Sequence, residues 1–244
     1  MLIDPIDPQG AHDGDDPVEQ EFNDFAYIVS HDLAASFRHV SEFSRLLLGD
    51  LGPDLSVRQQ RYAQRIQATT DECQAMIEQL LAYSRILHKP LALELVDATR
   101  LMRLAAMQHG AEIRQAKAEV IIEPLGEAYV DPDLMLQAFG RLLDNALKFA
   151  RPGVAPRVEV SALHTHERWT LRVRDDGVGL ESQYWEKAFR MFQRLHARDA
   201  YPGVGAGLPI CRRIARRHGG DVCFVDHPRG ACIEMTLPSE RAVH

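Results

Sequence analysis

The chain has 244 residues, of which 45% are hydrophobic, and a formal net charge of −7 at pH 7. This length predicts one or two domains with a real core, and the acidic balance argues against nucleic acid or anionic lipid as the main partner. The four cysteines have no Cys-x-x-Cys spacing, no apolar run reaches about 18 residues and the N-terminus lacks a signal-peptide pattern, so we expect a cytoplasmic protein with no membrane span, zinc site or disulfide framework.

The first half of the chain is predicted to be helical after an acidic tail. Residues 1–19 are rich in Asp, Pro and Gly, which predicts a flexible segment. Apolar residues then recur at steps of three and four over about 20–50 and again over about 55–88, which predicts two amphipathic helices joined by a short turn. One hairpin over 20–89 cannot enclose both apolar stripes, so we expect a homodimer in which two hairpins form a four-helix bundle.

His31 lies within the first predicted helix, two residues from both Val29 and Leu33. At 100° per residue it is turned about 200° from those apolar neighbours, so it faces solvent. A lone surface histidine usually has no function, but neutral imidazole is a good nucleophile near pH 7, and an exposed one can be reached by another domain. Asp32 follows it directly.

Residues 90–244 are predicted to form a mixed α/β domain after Pro90 stops the second helix. Strands are expected near 118–123, 157–163, 168–175, 221–226 and 231–237, and helices near 97–114, 132–150, 182–188 and 206–218. Because strands and helices do not alternate regularly, an α/β sandwich is favoured over a Rossmann sheet.

Two pairs of polar residues in this domain suggest a ligand site. Asn145 and Lys148 share one face of a predicted helix, where an amide oxygen suits Mg²⁺ and a lysine suits phosphate, although a solvated pair would look the same. Asp175 ends a predicted strand, where a buried carboxylate could accept a hydrogen bond from a ligand. Gly177 and Gly179 would let a ligand approach closely, although an Asp-Gly turn is the simpler interpretation in isolation.

A glycine-rich run follows near the C-terminus. Gly203, Gly205 and Gly207 alternate with small residues, and an apolar helix-forming run begins at Leu208. Glycine allows backbone N–H groups to come close to a ligand, and a helix N-terminus favours phosphate. The run is neither a Walker loop nor a convincing dinucleotide fingerprint, and by itself it is equally consistent with a flexible turn.

Four stretches in this order resemble the conserved boxes of two-component sensor histidine kinases with a Bergerat-type (GHKL) ATP-binding domain. The stretches are Phe25-Ala26-Tyr27-Ile28-Val29-Ser30-His31-Asp32-Leu33, Leu142-Leu143-Asp144-Asn145-Ala146-Leu147-Lys148-Phe149, Val173-Arg174-Asp175-Asp176-Gly177-Val178-Gly179-Leu180 and the run from Tyr201 to Ile210. The resemblance covers about residues 20–238. It implies the fold just described: a helical hairpin for dimerisation and phosphotransfer, then a catalytic α/β-sandwich ATP-binding domain over 90–244.

The resemblance also implies an activity and site residues. ATP with Mg²⁺ would phosphorylate His31, with Asp32 as proton acceptor, and the phosphoryl group would pass to an aspartate of a response-regulator receiver domain. Asn145 would hold Mg²⁺, Lys148 would contact phosphate and Asp175 would bind adenine. A Phe-containing box over 189–196 includes Arg194, a candidate contact for the γ-phosphate, and a mobile ATP lid is expected after it, over 197–204. Gly203, Gly205, Gly207 and Leu208 would close over the phosphates.

Some residues depart from the family pattern. Ser36 replaces a proline that bends the first helix, and Ala35 cannot orient a water as Thr or Asn does in members that dephosphorylate their partner. Arg141 stands where Asn is frequent, but we do not expect it to abolish binding. Two other functions stay open, namely a phosphotransfer scaffold with a degenerate ATP site and a GHKL conformational ATPase. The input signal is not legible from the sequence, and two origins stay open: a separate sensory protein that docks on the hairpin, or a longer chain of which this sequence is a part.

Overall fold

The computed structural model describes residues 33, 35–50, 55–195, 201 and 203–239. Its N-terminal part is helical. Residues 35–50 form α1, and Val57–His88 form α2. Helix α2 begins with a capping box, in which the backbone N–H of Gln59 donates to Ser56 Oγ and the backbone N–H of Ser56 donates to Gln59 Oε1. Gln67 of α2 donates to Ser41 of α1 over 3.3 Å, so the two helices pack against each other.

No helix among the described residues is both long enough and apolar enough to cross a bilayer.

The rest of the described chain is a mixed α/β domain, which confirms the predicted fold class at that level. A 3₁₀ turn at Ser182–Tyr184 precedes its shortest helix. The elements are β1 Glu94–Asp97, α3 Ala98–Gln108, α4 Gly110–Ala116, β2 Glu119–Ile122, β3 Glu127–Val130, α5 Pro132–Lys148, β4 Arg157–His164, β5 Arg168–Asp175, α6 Trp185–Ala188, α7 Gly207–Arg217, β6 Asp221–Val225 and β7 Cys232–Pro238.

The main sheet has the strand order β2-β4-β5-β7-β6. Strands β2 and β4 are parallel and the other neighbours antiparallel, while β1 pairs with β3 in a separate two-stranded sheet. Helices α3, α5 and α7 pack side by side, and α5 and α7 contact the sheet. In β5, alternation buries Trp169, Leu171 and Val173 and places Asp175 on the same inward face.

Helix α5 owes its position to its N-terminus. The Asp131 carboxylate accepts from the Leu134 amide over 3.0 Å, and Pro132 occupies the first turn, where its missing N–H costs nothing. The Asp131 backbone N–H donates to Nε2 of the buried His218, which follows α7. The polar face of α5 lies beside the end of β5, since residues of both line one cavity.

The structure corrects two features of the secondary-structure prediction. Strands β1 and β3 were not predicted, because four residues are too few to show a period and their pairing is non-local. The helix predicted over 97–114 is two helices, with a break at His109 and a left-handed Lys117 at the end of the second. Gly110, the first residue of the second helix, is a poor helix former, which favours an interruption there.

Helix α2 is anchored to the α/β domain at its C-terminal end. The guanidinium of Arg217 donates to the carbonyls of Ile86 and Lys89, and the side chain of Ile86 is buried in the core. The ammonium of Lys89 donates to Asp131 Oδ1 over 3.1 Å. The C-terminal end of α2 is therefore fixed against α5 and α7, the two helices that line the candidate site.

Candidate nucleotide-binding pocket

A cavity of about 310 Å³ lies between α2, α5, the end of β5 and the start of α7. Its lining includes every residue predicted to bind the nucleotide except Gly177. The predicted residues that line it are Asn145, Lys148, Asp175, Gly179, Arg194, Gly203, Gly205, Gly207 and Leu208. Residues more than 60 positions apart in the chain therefore meet around one space of the size that small-molecule sites have.

Asp175 lies at one end of this cavity and is only 7% exposed. Its Oδ1 accepts from the backbone amides of Gly177 and Ala231, over 2.9 and 3.1 Å, and among the described residues Oδ2 receives no hydrogen bond. Burial raises the pKa of this carboxyl, while the two amides act in the opposite direction. A carboxylate oriented in this way can accept a hydrogen bond from a ligand.

Gly177 and Gly179, the two glycines after Asp175, each pack closely against backbone atoms of another segment. A Cβ at Gly177 would lie 2.3 Å from the carbonyl oxygen of Phe149, and the Gly177 amide orients Asp175. Gly179 has a φ of +68°, and a Cβ there would lie 2.7 Å from the Gly230 carbonyl oxygen. Gly177 therefore holds the Asp175 carboxylate in place without lining the cavity, whereas Gly179 lines the cavity.

One face of α5 forms the polar wall of the cavity. Arg141, Asp144, Asn145 and Lys148 are spaced so that they share this face, and all four line the cavity. The Lys148 ammonium lies 4.9 Å from the centre of the Phe149 ring, and burial lowers its pKa, with Arg194 acting in the same direction. This wall offers cations and oxygen atoms together.

The oxygen atoms of this wall fit a magnesium ion shared with a nucleotide. Mg²⁺ is usually held by one or two protein oxygens, with waters and phosphates completing its shell. The Asn145 amide and the exposed Asp144 carboxylate next to it can supply such oxygens. The described part of the chain contains no group of three or more His, Cys, Asp or Glu that could hold a metal without phosphates.

Glycines close the cavity opposite α5. Gly203 and Gly205 have φ values of +111° and +76°. A Cβ at Gly203 would lie 2.7 Å from Lys148 Nζ, and one at Gly205 would lie 2.6 Å from the Gln193 carbonyl oxygen. Both positions therefore require glycine for conformation and for space.

Helix α7 begins at Gly207 beside the cavity, and its N-cap residue Ala206 provides no side-chain hydrogen bond. The first backbone N–H groups of the helix therefore lack a side-chain cap, and the helix dipole favours negative charge there. Leu208 lines the cavity and is buried in the core. This end of the cavity suits phosphate.

Arg194 lies at the border between this domain and the helical part. Its Nη2 donates to the Tyr201 carbonyl over 2.9 Å, and its Nη1 lies 3.7 Å from Glu72 Oε1. Of the lid expected over 197–204, residues 197–200 and 202 lie outside the described residues.

Helix α2 contributes a wall that the sequence did not indicate. Its residues facing the α/β domain are Glu72, Ala75, Gln79, Tyr83 and Ile86, spaced three or four apart. Ala75 and Gln79 line the cavity directly. The spacing was a possible signal, but it is weak because only two of the five side chains are strongly apolar.

His31 and Asp32 lie outside the described residues, which begin at Leu33. Their predicted exposure and role stay predictions.

Comparison with known proteins identifies the ATPase domain. Residues 130–241 match the family described as histidine kinase-, DNA gyrase B-, and HSP90-like ATPase. That part of the chain is similar to this family, and the resemblance of the whole to a sensor histidine kinase core is confirmed. Cyanobacterial phytochrome A of Nostoc sp. is 30% identical over 230 residues, which are 89% of this chain but 28% of that protein. The chain thus spans less than a third of this relative.

Solved structures with the same fold include ShkA and the histidine kinase ThkA. Full-length ShkA in complex with AMPPNP aligns with a TM-score of 0.63 and 22% identity, over 89% of this chain and 45% of that one. ThkA in complex with the response regulator protein TrrA aligns with a TM-score of 0.63 and 16% identity, over 91% and 64%.

Proposed function

We propose that this chain is a histidine protein kinase that transfers the γ-phosphoryl group of ATP to His31. The observation that carries the proposal is the cavity itself, where Asn145, Lys148, Asp175 and the glycine run meet although they are far apart in the chain. This combination argues against a degenerate site. The match of residues 130–241 to an ATPase family, a relative named as a regulatory histidine kinase and the fold shared with the histidine kinase ThkA support the same activity.

In this proposal each part of the cavity binds one part of ATP. Asp175 accepts a hydrogen bond from the adenine amino group, since it is a buried carboxylate whose Oδ1 is already held by two amides. The α7 N-terminus and the backbone at Gly203 and Gly205 bind phosphates, and Lys148 adds a positive charge. Mg²⁺, held through Asn145, supplies further charge neutralisation when bound.

The transfer itself is a displacement at phosphorus. The neutral imidazole of His31 forms a nitrogen–phosphorus bond to the γ-phosphorus, while the bond from that phosphorus to the β–γ bridging oxygen breaks and ADP leaves. Asp32 accepts the proton that the imidazole loses. Catalysis consists mainly of positioning and charge neutralisation, for which Arg194 is the candidate contact at the γ-phosphate.

A homodimer is the state in which this reaction is proposed to occur, with residues 20–89 as the dimerisation and phosphotransfer hairpin and 90–244 as the catalytic domain. The support is a set of large apolar side chains that a single hairpin leaves exposed. They are Leu33, Val40, Phe43, Leu46 and Leu47 on the first helix and Val57, Tyr62 and Ile66 on the second. A second hairpin would cover both helices in a four-helix bundle.

The acceptor of the phosphoryl group is proposed to be an aspartate of a response-regulator receiver domain. The alignment with ThkA bound to the response regulator TrrA supports this partner. A labelled-ATP experiment tests the whole sequence: the chain is incubated with γ-labelled ATP and Mg²⁺, freed of nucleotide and mixed with purified receiver domains. We expect the label to move to one receiver and to be absent throughout with Asn145→Ala. Full labelling of Asn145→Ala would contradict the proposed site.

A further inference from the structure

Arg141 occupies the first position of the polar face of α5. It lines the cavity together with Asp144, Asn145 and Lys148, which follow at three, four and seven residues. Nothing in the proposed function so far uses it. A residue with a charged head inside a binding cavity calls for a ligand or a partner of opposite charge.

The Nε of Arg141 is buried and has no hydrogen-bond partner among the described residues. A guanidinium has five N–H donors and no acceptor, so only an acceptor can satisfy it. A buried donor that lacks a partner is destabilising. The side chain is thus held in the cavity wall in a state that an incoming acceptor would improve.

The surroundings of Arg141 supply little negative charge. Burial raises the pKa of the neighbouring Cys211 to about 12, so that thiol is neutral at pH 7, and it donates to the Ala138 carbonyl. The carboxylate of Asp144 attracts Arg141, but it also attracts Lys148. Arg194 adds a third cation to the lining of the same cavity. Cations therefore outnumber carboxylates along this wall.

We propose that Arg141 is a phosphate ligand of the bound nucleotide and donates its guanidinium N–H groups to oxygens of the phosphate chain. The inference rests on the proposed function, since it assumes a nucleotide in the cavity. The adenine and the ribose are neutral, so the phosphates are the part of ATP that can satisfy both the charge and the donors. Arginine binds phosphate through its rigid fork, which lysine lacks.

The test compares ATP with adenosine, which has no phosphates. Equilibrium affinities of both ligands are measured for the wild type, Arg141→Leu, Arg141→Lys and a control, Arg216→Leu. Arg216 lies on α7, outside the cavity lining, and its exposed side chain contacts Asp221. Each measurement is repeated with EDTA, so that a direct contact is separated from an effect on metal binding.

We expect Arg141→Leu to weaken ATP binding roughly 10- to 100-fold, with and without EDTA, because a charge-assisted hydrogen bond is lost. Adenosine binding should stay within about twofold, which also reports an intact cavity. Arg141→Lys should lose part of the ATP affinity, and Arg216→Leu none.

An unchanged ratio of ATP to adenosine affinity in Arg141→Leu and Arg141→Lys would overturn the role of Arg141 and leave the proposed function standing. An equal loss of affinity for ATP and for adenosine in both variants would also overturn the proposed role, since such a loss would indicate that Arg141 is purely structural. A wild type that binds no ATP would instead overturn the proposed function.

Discussion

Arg194 at the edge of the ATPase domain lies 3.7 Å from Glu72 of α2, measured from Nη1 to Oε1. The pair joins the helical hairpin to the segment that is proposed to hold the γ-phosphate. Both side chains are mostly shielded, at 21% and 24% exposure, so the attraction is less screened than at a fully exposed site. Arg194 cannot serve Glu72 and a phosphate equally well at the same time.

The first prediction follows from this competition. Glu72→Gln should tighten ATP binding about 1.5- to fivefold, because a partly exposed ion pair is worth about 0.2–1 kcal/mol. Titration calorimetry measures the change. Glu78→Gln is the matched control on the exposed side of the same helix and should have no effect. Weaker ATP binding by Glu72→Gln would show that the pair supports the site instead of competing with it.

The second prediction concerns the adenine contact. Asp175→Asn should weaken ATP binding about 5- to 150-fold, since loss of one partner of a buried hydrogen bond costs roughly 1–3 kcal/mol. The neighbouring Asp176→Asn, outside the cavity lining, is the matched control and should bind nearly normally. Unchanged affinity in Asp175→Asn would remove Asp175 from the site.

A pH titration of the same variants extends this test. Burial raises the pKa of Asp175 above its ordinary 3.8, and only the ionised form is a pure acceptor. ATP affinity of the wild type should therefore fall as the pH drops through that raised pKa. Any protonation of the nucleotide is common to both proteins, so the difference between wild type and Asp175→Asn isolates the carboxyl. Parallel pH profiles for the two proteins would contradict this assignment.

The third prediction concerns stability. Buried His218 accepts from the Asp131 amide at Nε2 and donates from Nδ1 to the Ile214 carbonyl over 2.7 Å, which requires the neutral ring. Burial lowers its pKa below the ordinary 6.5. At mildly acid pH the unfolded chain therefore binds a proton that the fold excludes, so the stability present above about pH 6.5 is lost as the pH falls through the folded pKa.

Thermal unfolding at pH 5.5 and 7.5 checks this expectation. His218→Gln should be less stable at pH 7.5 by about 1–3 kcal/mol, because buried hydrogen bonds are lost. It should also lose less stability than the wild type between the two pH values. The exposed His166→Gln is the control. An equal loss of stability in wild type and His218→Gln would exclude His218 as the titrating group.

The fourth prediction concerns the dimer. Phe43 and Leu47 are 69% and 60% exposed on α1 and lie four residues apart, on one side of the helix. Phe43→Glu should convert the protein to a monomer, because burying a carboxylate in a bundle core is strongly unfavourable. Light scattering gives the mass, and Arg45→Glu on the same helix is the control. A wild type of 27.5 kDa at micromolar concentration would contradict the dimer.

Local signals in the sequence predicted most of the cavity. Glycine runs and the spacing of Asn145 and Lys148 depend on neighbours within one turn of chain, and the alternation in β5 correctly placed Asp175 at a strand end. The short strands β1 and β3 were missed because their pairing, such as Leu95 opposite Tyr129, joins segments more than 30 residues apart.

The contribution of α2 could not be predicted from the sequence. Ala75 and Gln79 line the cavity because Ile86, Lys89 and Arg217 together fix the end of α2 on the α/β domain. The angle at which one helix packs on a domain is not encoded by neighbouring residues in the sequence. The same holds for Arg141, which looked like a tolerated departure from an asparagine. Its buried Nε and neutral neighbour Cys211 become visible only in three dimensions.

The most direct measurement of the central claim is the site of phosphorylation. Wild type, His31→Gln and the control His39→Gln are incubated with γ-labelled ATP and Mg²⁺, and acid-labile, base-stable label is counted. His39 is an exposed histidine on α1, eight residues further along the chain, and is therefore a matched control. We predict label on the wild type and on His39→Gln and none on His31→Gln. Equal label on His31→Gln, or none on the wild type, would contradict it.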